Sequence, residues 1–312
     1  MTIVIIGYGN LREFDLLADA AERRGGEAVF CDIRDWPGEE SLTVRAGGDE
    51  TVLGTSLTYD EVSGVYVDSY NLFRPYDPRF RDDLDDDLLP ALSQLREHRG
   101  MFESLSRIFE HHGADVIPSL PKQRWQDRKP WQLHRFARAD LPIPETLFTN
   151  DPEEVRSFFA DNERVVYKPV TRGGTPRVMT EEDLTDEALA RLSTAPVQFQ
   201  EFVEGVDLRV YALDGEVVGA ARYESDQFSF KLDREDGEEV DAHPADVSEA
   251  VADTVTRAAD FAELQFTAAD VRRRPDGSHH LIEVNEAPRF AVPDVRADQN
   301  VADALAEYLL EP

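Results

Sequence analysis

The spacing of apolar positions changes character along the chain, from an alternating α/β start to a β-rich finish. Ile3–Ile6 is a short unbroken apolar run, the pattern of a strand buried on both faces. Gly7-Tyr8-Gly9-Asn10 follows, then a helical repeat from about Glu13 to Arg24, and Val29–Asp32 predicts the next strand. Gly64–Val67 predicts another, so the opening reads as a β–turn–α–β unit with a parallel sheet. From Asp86 to His112 apolar residues recur at helical spacing, with a break expected near Gly100 and a cap at Gly113. Gln126–Ala139 predicts a helix, and Thr149-Asn150-Asp151-Pro152 is a helix start for Glu153–Ala160. Strands are expected at Arg164–Pro169 and Arg177–Thr180, with a helix near Glu182–Leu192. Beyond that come strands at Val197–Phe202, Leu208–Leu213, Glu216–Tyr223 and Phe228–Leu232, with Asp214-Gly215 as a hairpin turn. An amphipathic helix over Val247–Ala262, a hairpin of Phe266–Arg273 and His280–Val284, and a helix over Val301–Leu310 complete the pattern.

At 312 residues the chain is too long for one comfortable core and implies two or three packed units. Apolar residues make up 41%, enough to build those cores. No apolar run approaches the roughly 20 residues that span a bilayer, and Thr2–Gly7 reads as a strand rather than a signal peptide. The single cysteine, Cys31, leaves no internal disulfide or cysteine zinc site and is expected in the core. With 33 basic against 64 acidic residues the net charge is −31, which argues against a nucleic-acid surface. Only four of the 33 cations are lysines, Lys122, Lys129, Lys168 and Lys231. Acid excess with lysine depletion fits a cytoplasm at high salt, and makes each remaining lysine a candidate for a specific task.

Four stretches could carry chemistry. Gly7-Tyr8-Gly9 lacks the third glycine of a dinucleotide fingerprint, where Arg12 stands, and reads as a tight turn. Lys168 ends a buried strand and is followed by Gly173-Gly174, which lets backbone N–H groups approach an anion. Glu283 and Asn285, two apart on a strand, share a face, and Asp270 lies on the partner strand. Two carboxylates and an amide suit Mg²⁺, which commonly arrives with nucleotide phosphates. Gln200-Glu201-Phe202-Val203, with Asp207 and Arg209, could offer backbone to a base and a carboxylate to a sugar. Elsewhere, His279-His280 flanks a turn, Trp125 and Trp131 read as packing residues, and Arg272-Arg273-Arg274 as a solvated basic turn.

In order and spacing these motifs resemble the ATP-grasp superfamily, closest to its RimK-like branch. The run is Lys129, Gln132-Leu133, Leu141-Pro142-Ile143-Pro144, Val166-Tyr167-Lys168-Pro169, the Gly173-Gly174 loop, Gln200–Val203, Asp207-Leu208-Arg209, Asp270 and Glu283-Val284-Asn285. The resemblance covers roughly residues 115–295. It implies an α/β protein, α+β in its C-terminal part: an ATP-grasp fold behind a Rossmann-like N-terminal domain. The expected division is 1–115, then 116–200 with both phosphate lysines, then 201–312 with the metal ligands.

By the same resemblance Lys129 and Lys168 contact ATP phosphates, with Gly173 and Gly174 in the phosphate loop. Glu201 and Val203 read adenine through the backbone, and Asp207 contacts ribose. Asp270, Glu283 and Asn285 hold Mg²⁺, as two ions, with Mn²⁺ as an alternative. Arg209 stabilises the transferred phosphate. The activity implied is ATP-dependent joining of a carboxylate to an amine through an acyl phosphate, with small-molecule or peptide substrates. Modification of a ribosomal peptide, or a nucleotide-binding sensor without turnover, are the alternatives. Two departures stand out: Pro288-Arg289 replaces the family's Pro-Gly, making Arg289 a candidate carboxylate clamp, and Ser225–Lys231 replaces an Arg-Gly-Gly loop, making Lys231 a candidate site residue. A cytoplasmic protein is expected, with no nucleic-acid or membrane partner and with homo-oligomers as in RimK-like relatives.

Overall fold

The computed structural model describes residues 1–9, 11–35, 39–68, 88–171, 174–225, 227–235 and 240–311. Strands β1 (Thr2–Gly7), β2 (Glu27–Asp32), β6 (Val62–Val67) and β7 (Asp115–Ile117) form a parallel sheet in the order β2-β1-β6-β7. Its faces alternate with the chain. Ile3 and Ile5 pack against α1 (Arg12–Arg23), while Val4 and Ile6 face α2 (Leu88–His111) and a small antiparallel sheet of β3 (Leu42–Val44), β4 (Glu50–Leu53) and β5 (Thr55–Thr58). Cys31 is in this second core, and burial pushes its thiol up to about 12. The predicted break at Gly100 is absent: α2 runs through it as 24 residues. Gly100 is exposed with no atom near its missing side chain, so it costs the helix about 1 kcal/mol without interrupting it.

A second antiparallel sheet has the order β10-β9-β11-β8, from β8 (Thr146–Thr149), β9 (Val165–Pro169), β10 (Arg177–Val178) and β11 (Val197–Glu201). One face packs on α4 (Pro152–Asp161), which starts where expected: Asp151 accepts the Glu153 N–H at 2.9 Å and Pro152 takes the first turn. Helix α3 (Lys129–Arg138) precedes this sheet, and between β10 and β11 lies the one-turn α5 (Asp186–Leu189) flanked by 3₁₀ turns.

The third sheet has the order β14-β13-β12-β15-β16: β12 (Val206–Leu213), β13 (Glu216–Glu224), β14 (Asp241–Pro244), β15 (Phe266–Arg273) and β16 (His279–Asn285). The β12–β13 hairpin turns on Asp214 and Gly215, both left-handed at φ 47° and 79°, as an Asp-Gly hairpin requires. Helix α7 (Glu249–Ala262) covers one face together with α3. The predicted strand over Phe228–Leu232 is instead the approach to helix α6 (Phe230–Glu235), because β14 already occupies the free edge of β13. Phe230 stacks on Tyr223 at 4.3 Å, which pins α6 over the sheet face. After α8 (Ala291–Arg296), α9 (Val301–Leu310) returns to the first sheet, burying Val301, Leu305 and Leu309 against Ile3, Ile5 and Leu17. Each such side chain contributes about 1.5–3 kcal/mol. Among the described residues no helix is long and apolar enough to cross a membrane.

Candidate active site

The second and third sheets face each other across a cleft of about 670 Å³. Its floor comes from pairing two copies of one short pattern. Asp207-Leu208-Arg209 on β12 lies antiparallel to Asp270-Val271-Arg272 on β15, so Asp207 stands opposite Arg272 and Arg209 opposite Asp270. Both pairs close as ion pairs, Arg272 to Asp207 at 2.9 Å and Arg209 to Asp270 at 3.0 Å. On the other side of β15, Asp270 stands opposite Glu283. Two carboxylates so placed repel one another unless a cation joins them. Lys231, delivered by the first turn of α6, is that cation, with its Nζ 3.0 Å from each.

Lys129 arrives from the far side. Gln132, three residues on and so on the same face of α3, is fully buried. Its amide donates to the Val284 carbonyl at 3.1 Å and accepts the Val284 N–H at 3.0 Å, acting as a short strand partner for β16. That clamp puts Lys129 Nζ 3.1 Å from Glu283 Oε2, while Lys168 Nζ from β9 lies 3.8 Å from the same oxygen. Gly174 is needed for close approach, since a Cβ there would meet Pro169 Cδ at 2.2 Å. Asn285 is fixed by its amide N–H, which donates to the Ala268 carbonyl at 2.9 Å, leaving its oxygen as the donor for a cation.

Burial alone would raise the carboxyl of Glu283, but Lys129, Lys231 and Lys168 hold it well below the usual carboxylate range. Burial pulls Lys168 down to about 8 against the attraction of Glu283, with Lys129 and Lys231 adding to the fall. Lys231 moves the other way: Asp270 and Glu283 outweigh its burial and raise it. The Asp207 carboxyl is raised by burial despite Arg272. Arg289 enters the cleft from the loop after β16, paired with the buried Asp68 at the end of β6 (3.3 Å), and Tyr211 donates to its carbonyl at 2.6 Å.

Lys129, Lys168, Gly174, Glu201, Val203, Asp207, Arg209, Lys231, Asp270, Glu283, Asn285 and Arg289 all line this one cleft. Gly173 lies outside the described residues. The solvated reading of Arg272–Arg274 is corrected for two of the three. Arg272 is buried and Arg274 pairs with Glu201 at 3.0 Å, because β15 extends through Arg273 instead of ending in the turn. Gln132 and Arg272 are the site residues that sequence reasoning left without a role; the repeated Asp-x-Arg was the available signal for the second. Trp125 is packed in the core as expected, whereas Trp131 is exposed and stacks on His134. His279 bonds Thr254 at 2.8 Å beside the hairpin turn.

A family model for the ATP-grasp domain, the third family of its clade, matches residues 110–305. Glutathione synthetase of Brucella melitensis biotype 1 is 28% identical over 210 residues, which are 64% of this chain and 62% of that protein. The chain thus matches less than two thirds of that relative's length. Among solved structures, the ATP-grasp ligase PsnB complexed with its minimal precursor is 28% identical at a TM-score of 0.84, covering 99% of this chain and 98% of that one. The macrocyclase MdnC of Microcystis aeruginosa MRC, bound with precursor peptide MdnA, shares the fold at 22% identity and a TM-score of 0.78, with full coverage of both chains.

Proposed function

The chain belongs to the ATP-grasp domain family whose model spans residues 110–305, and on that premise we propose that it is an ATP-dependent ligase joining a carboxylate to an amine. The observation that carries the reading is the convergence of Lys129, Lys168 and Lys231 on Glu283, beside Asp270 and Asn285. A fully oxygen-donating set suits Mg²⁺. Glu283 Oε2 is buried without an aligned hydrogen bond, a further sign that the set fits a cation. When bound, the metal would offset phosphate charge during transfer.

Lys129 and Lys168 would hold the nucleotide's phosphates, Glu201 and Val203 its base, and Asp207 its sugar. Arg209 and Lys231 would face the charge that develops on the moving phosphoryl group. The acid's carboxylate accepts that group as an acyl phosphate, and the amine nitrogen then displaces phosphate and loses its proton. No nucleophilic side chain is required. In this scheme residues 116–200 and 201–312 are the two jaws and 1–115 the wall that carries Asp68 behind Arg289.

The cleft's charged lining has six cations against four carboxylates, a surplus of two in a chain of net charge −31. That surplus supports an anionic acid substrate, with Arg289 as its clamp. Similarity to PsnB over nearly the whole of both chains, in a structure that holds a precursor peptide, supports a peptide as one substrate. Acid excess and scarce lysine support a cytoplasm at high salt as the setting, with homo-oligomers and no nucleic-acid partner. The test is release of ADP and phosphate from Mg-ATP in molar KCl with pools of amino acids, small acids and acidic peptides. Amine-dependent release of both products is expected. Phosphorylated product without free phosphate would make the protein a phosphotransferase instead.

A further inference from the structure

Arg272 sits where three segments of the cleft meet. Its guanidinium pairs with Asp207 on β12 at 2.9 Å, its Nε donates to the carbonyl of Val203 at 3.2 Å, and its second terminal nitrogen donates to the carbonyl of Phe228. The residue is 8% exposed and lines the cleft. Val203 closes the link from β11 to β12, and Phe228 opens the approach to α6, where the Phe230 N–H donates to Asp207 at 3.3 Å. Phe202 and Phe228, also lining the cleft, lie 5.6 Å apart. One rigid fork therefore ties a carboxylate and two backbone carbonyls from different elements into a fixed arrangement, which a lysine's single point of charge cannot reproduce.

We propose that Arg272 is a positioning residue for the sugar and base of the nucleotide: it fixes Asp207, Val203 and the Phe228 turn so that this half of the cleft is formed before the ligand arrives. The phosphate half is built separately, from Lys129, Lys168 and Glu283, and none of the bonds of Arg272 described above reaches them. Preformed geometry matters because every segment ordered only on binding subtracts from affinity. The inference rests on the nucleotide-binding reading above and on Asp207 as the sugar contact.

The test is calorimetry in molar KCl with MgADP, Mg-2′-deoxyADP and Mg-tripolyphosphate, on the wild type, R272K, R272M and the double variant R272M/D207N, each checked by thermal melting. In R272M, ADP affinity should fall by on the order of tenfold to a hundredfold, as for loss of one or two charge-assisted hydrogen bonds. Its preference for ADP over the deoxy analogue should shrink toward one, while tripolyphosphate affinity stays within about twofold. R272K should keep part of the sugar preference through Asp207 and still bind ADP several-fold more weakly. The double variant removes both charges, so it folds without a buried unpaired carboxylate and should match R272M. Unchanged ADP affinity in folded R272K and R272M overturns the proposal, and so does an equal loss for ADP and tripolyphosphate, which would mark Arg272 as merely structural. No ADP binding by the wild type would refute the nucleotide reading itself. ADP binding without sugar preference would refute Asp207 as the contact.

Discussion

Replacing Glu283 by Gln keeps the side chain's shape and removes the one negative charge that Lys129, Lys168 and Lys231 share. The consequence is sharpest at Lys168, which burial has already drawn down to about 8 while Glu283 resists. At 3.8 Å, a pair of unit charges in an effective dielectric of about 20 interacts by 332/(20 × 3.8), or about 4 kcal/mol, near three pK units. Relaxation and entering water reduce this, so Lys168 in E283Q is expected to titrate at least about one unit lower and to be largely neutral at pH 7. The chain has only four lysines, so reductive ¹³C-methylation gives a handful of methyl signals that can be followed by NMR through a pH titration. Because the lysine can discharge and Lys231 keeps Asp270, the stability cost should be about 1–3 kcal/mol, below the 3–5 of a broken buried pair. Glu283 has a folded-state value below its ordinary 4.5. Its stabilisation is therefore present above that pH and lost as pH falls through the lower folded value, so wild type and variant should converge in acid. A Lys168 titration that stays put or rises in E283Q would refute the electrostatic reasoning for the whole site.

Nucleotide phosphates require Lys168 charged, so MgADP affinity should hold below about pH 8 and weaken above it by up to about tenfold per pH unit, as read by calorimetry. Gln132→Leu removes both bonds to Val284 and leaves a buried N–H and carbonyl without partners. Urea unfolding should show a loss of about 2–3 kcal/mol, with ADP affinity falling because Lys129 is no longer held. Arg289→Ala should leave ADP affinity within about twofold while raising the KM of the acid substrate at least about tenfold, and an unchanged KM would remove Arg289 from substrate recognition. Raising KCl from about 0.1 to 1 M shortens the screening length from about 10 to 3 Å. The net charge of −31 then repels an approaching nucleotide less, and the on-rate of a fluorescent ADP in stopped flow should rise with salt; a falling on-rate would mean that the cleft's local surplus of cations dominates at long range.

What the sequence revealed and what it hid divide along one physical line. Strand and helix positions follow from periods of two and 3.6, which are local, so the β1–α1–β2 opening, the Asp214-Gly215 hairpin and the last hairpin were all legible. The Phe228–Leu232 segment has the alternation of a strand, yet whether it pairs depends on a vacant sheet edge, and β14, from further along the chain, fills it. Arg272 was hidden for a related reason. Beside Arg273 and Arg274 it looks like one of three solvated cations, and only the antiparallel register of β12 and β15 separates it from them. That register places each Asp of a repeated Asp-x-Arg against the other's Arg, so two copies of one short pattern become two buried ion pairs. Lysine scarcity worked in the opposite direction. In a chain where most cations are arginine, Lys129, Lys168 and Lys231 persist, and all three reach one carboxylate. Arginine's wider, always-charged fork suits Asp207 and Asp270, which it meets across a pair of strands. Three cations crowding Glu283 instead require a compact charge that can lose its proton when buried, and Lys168 shows that adjustment in its fall to about 8.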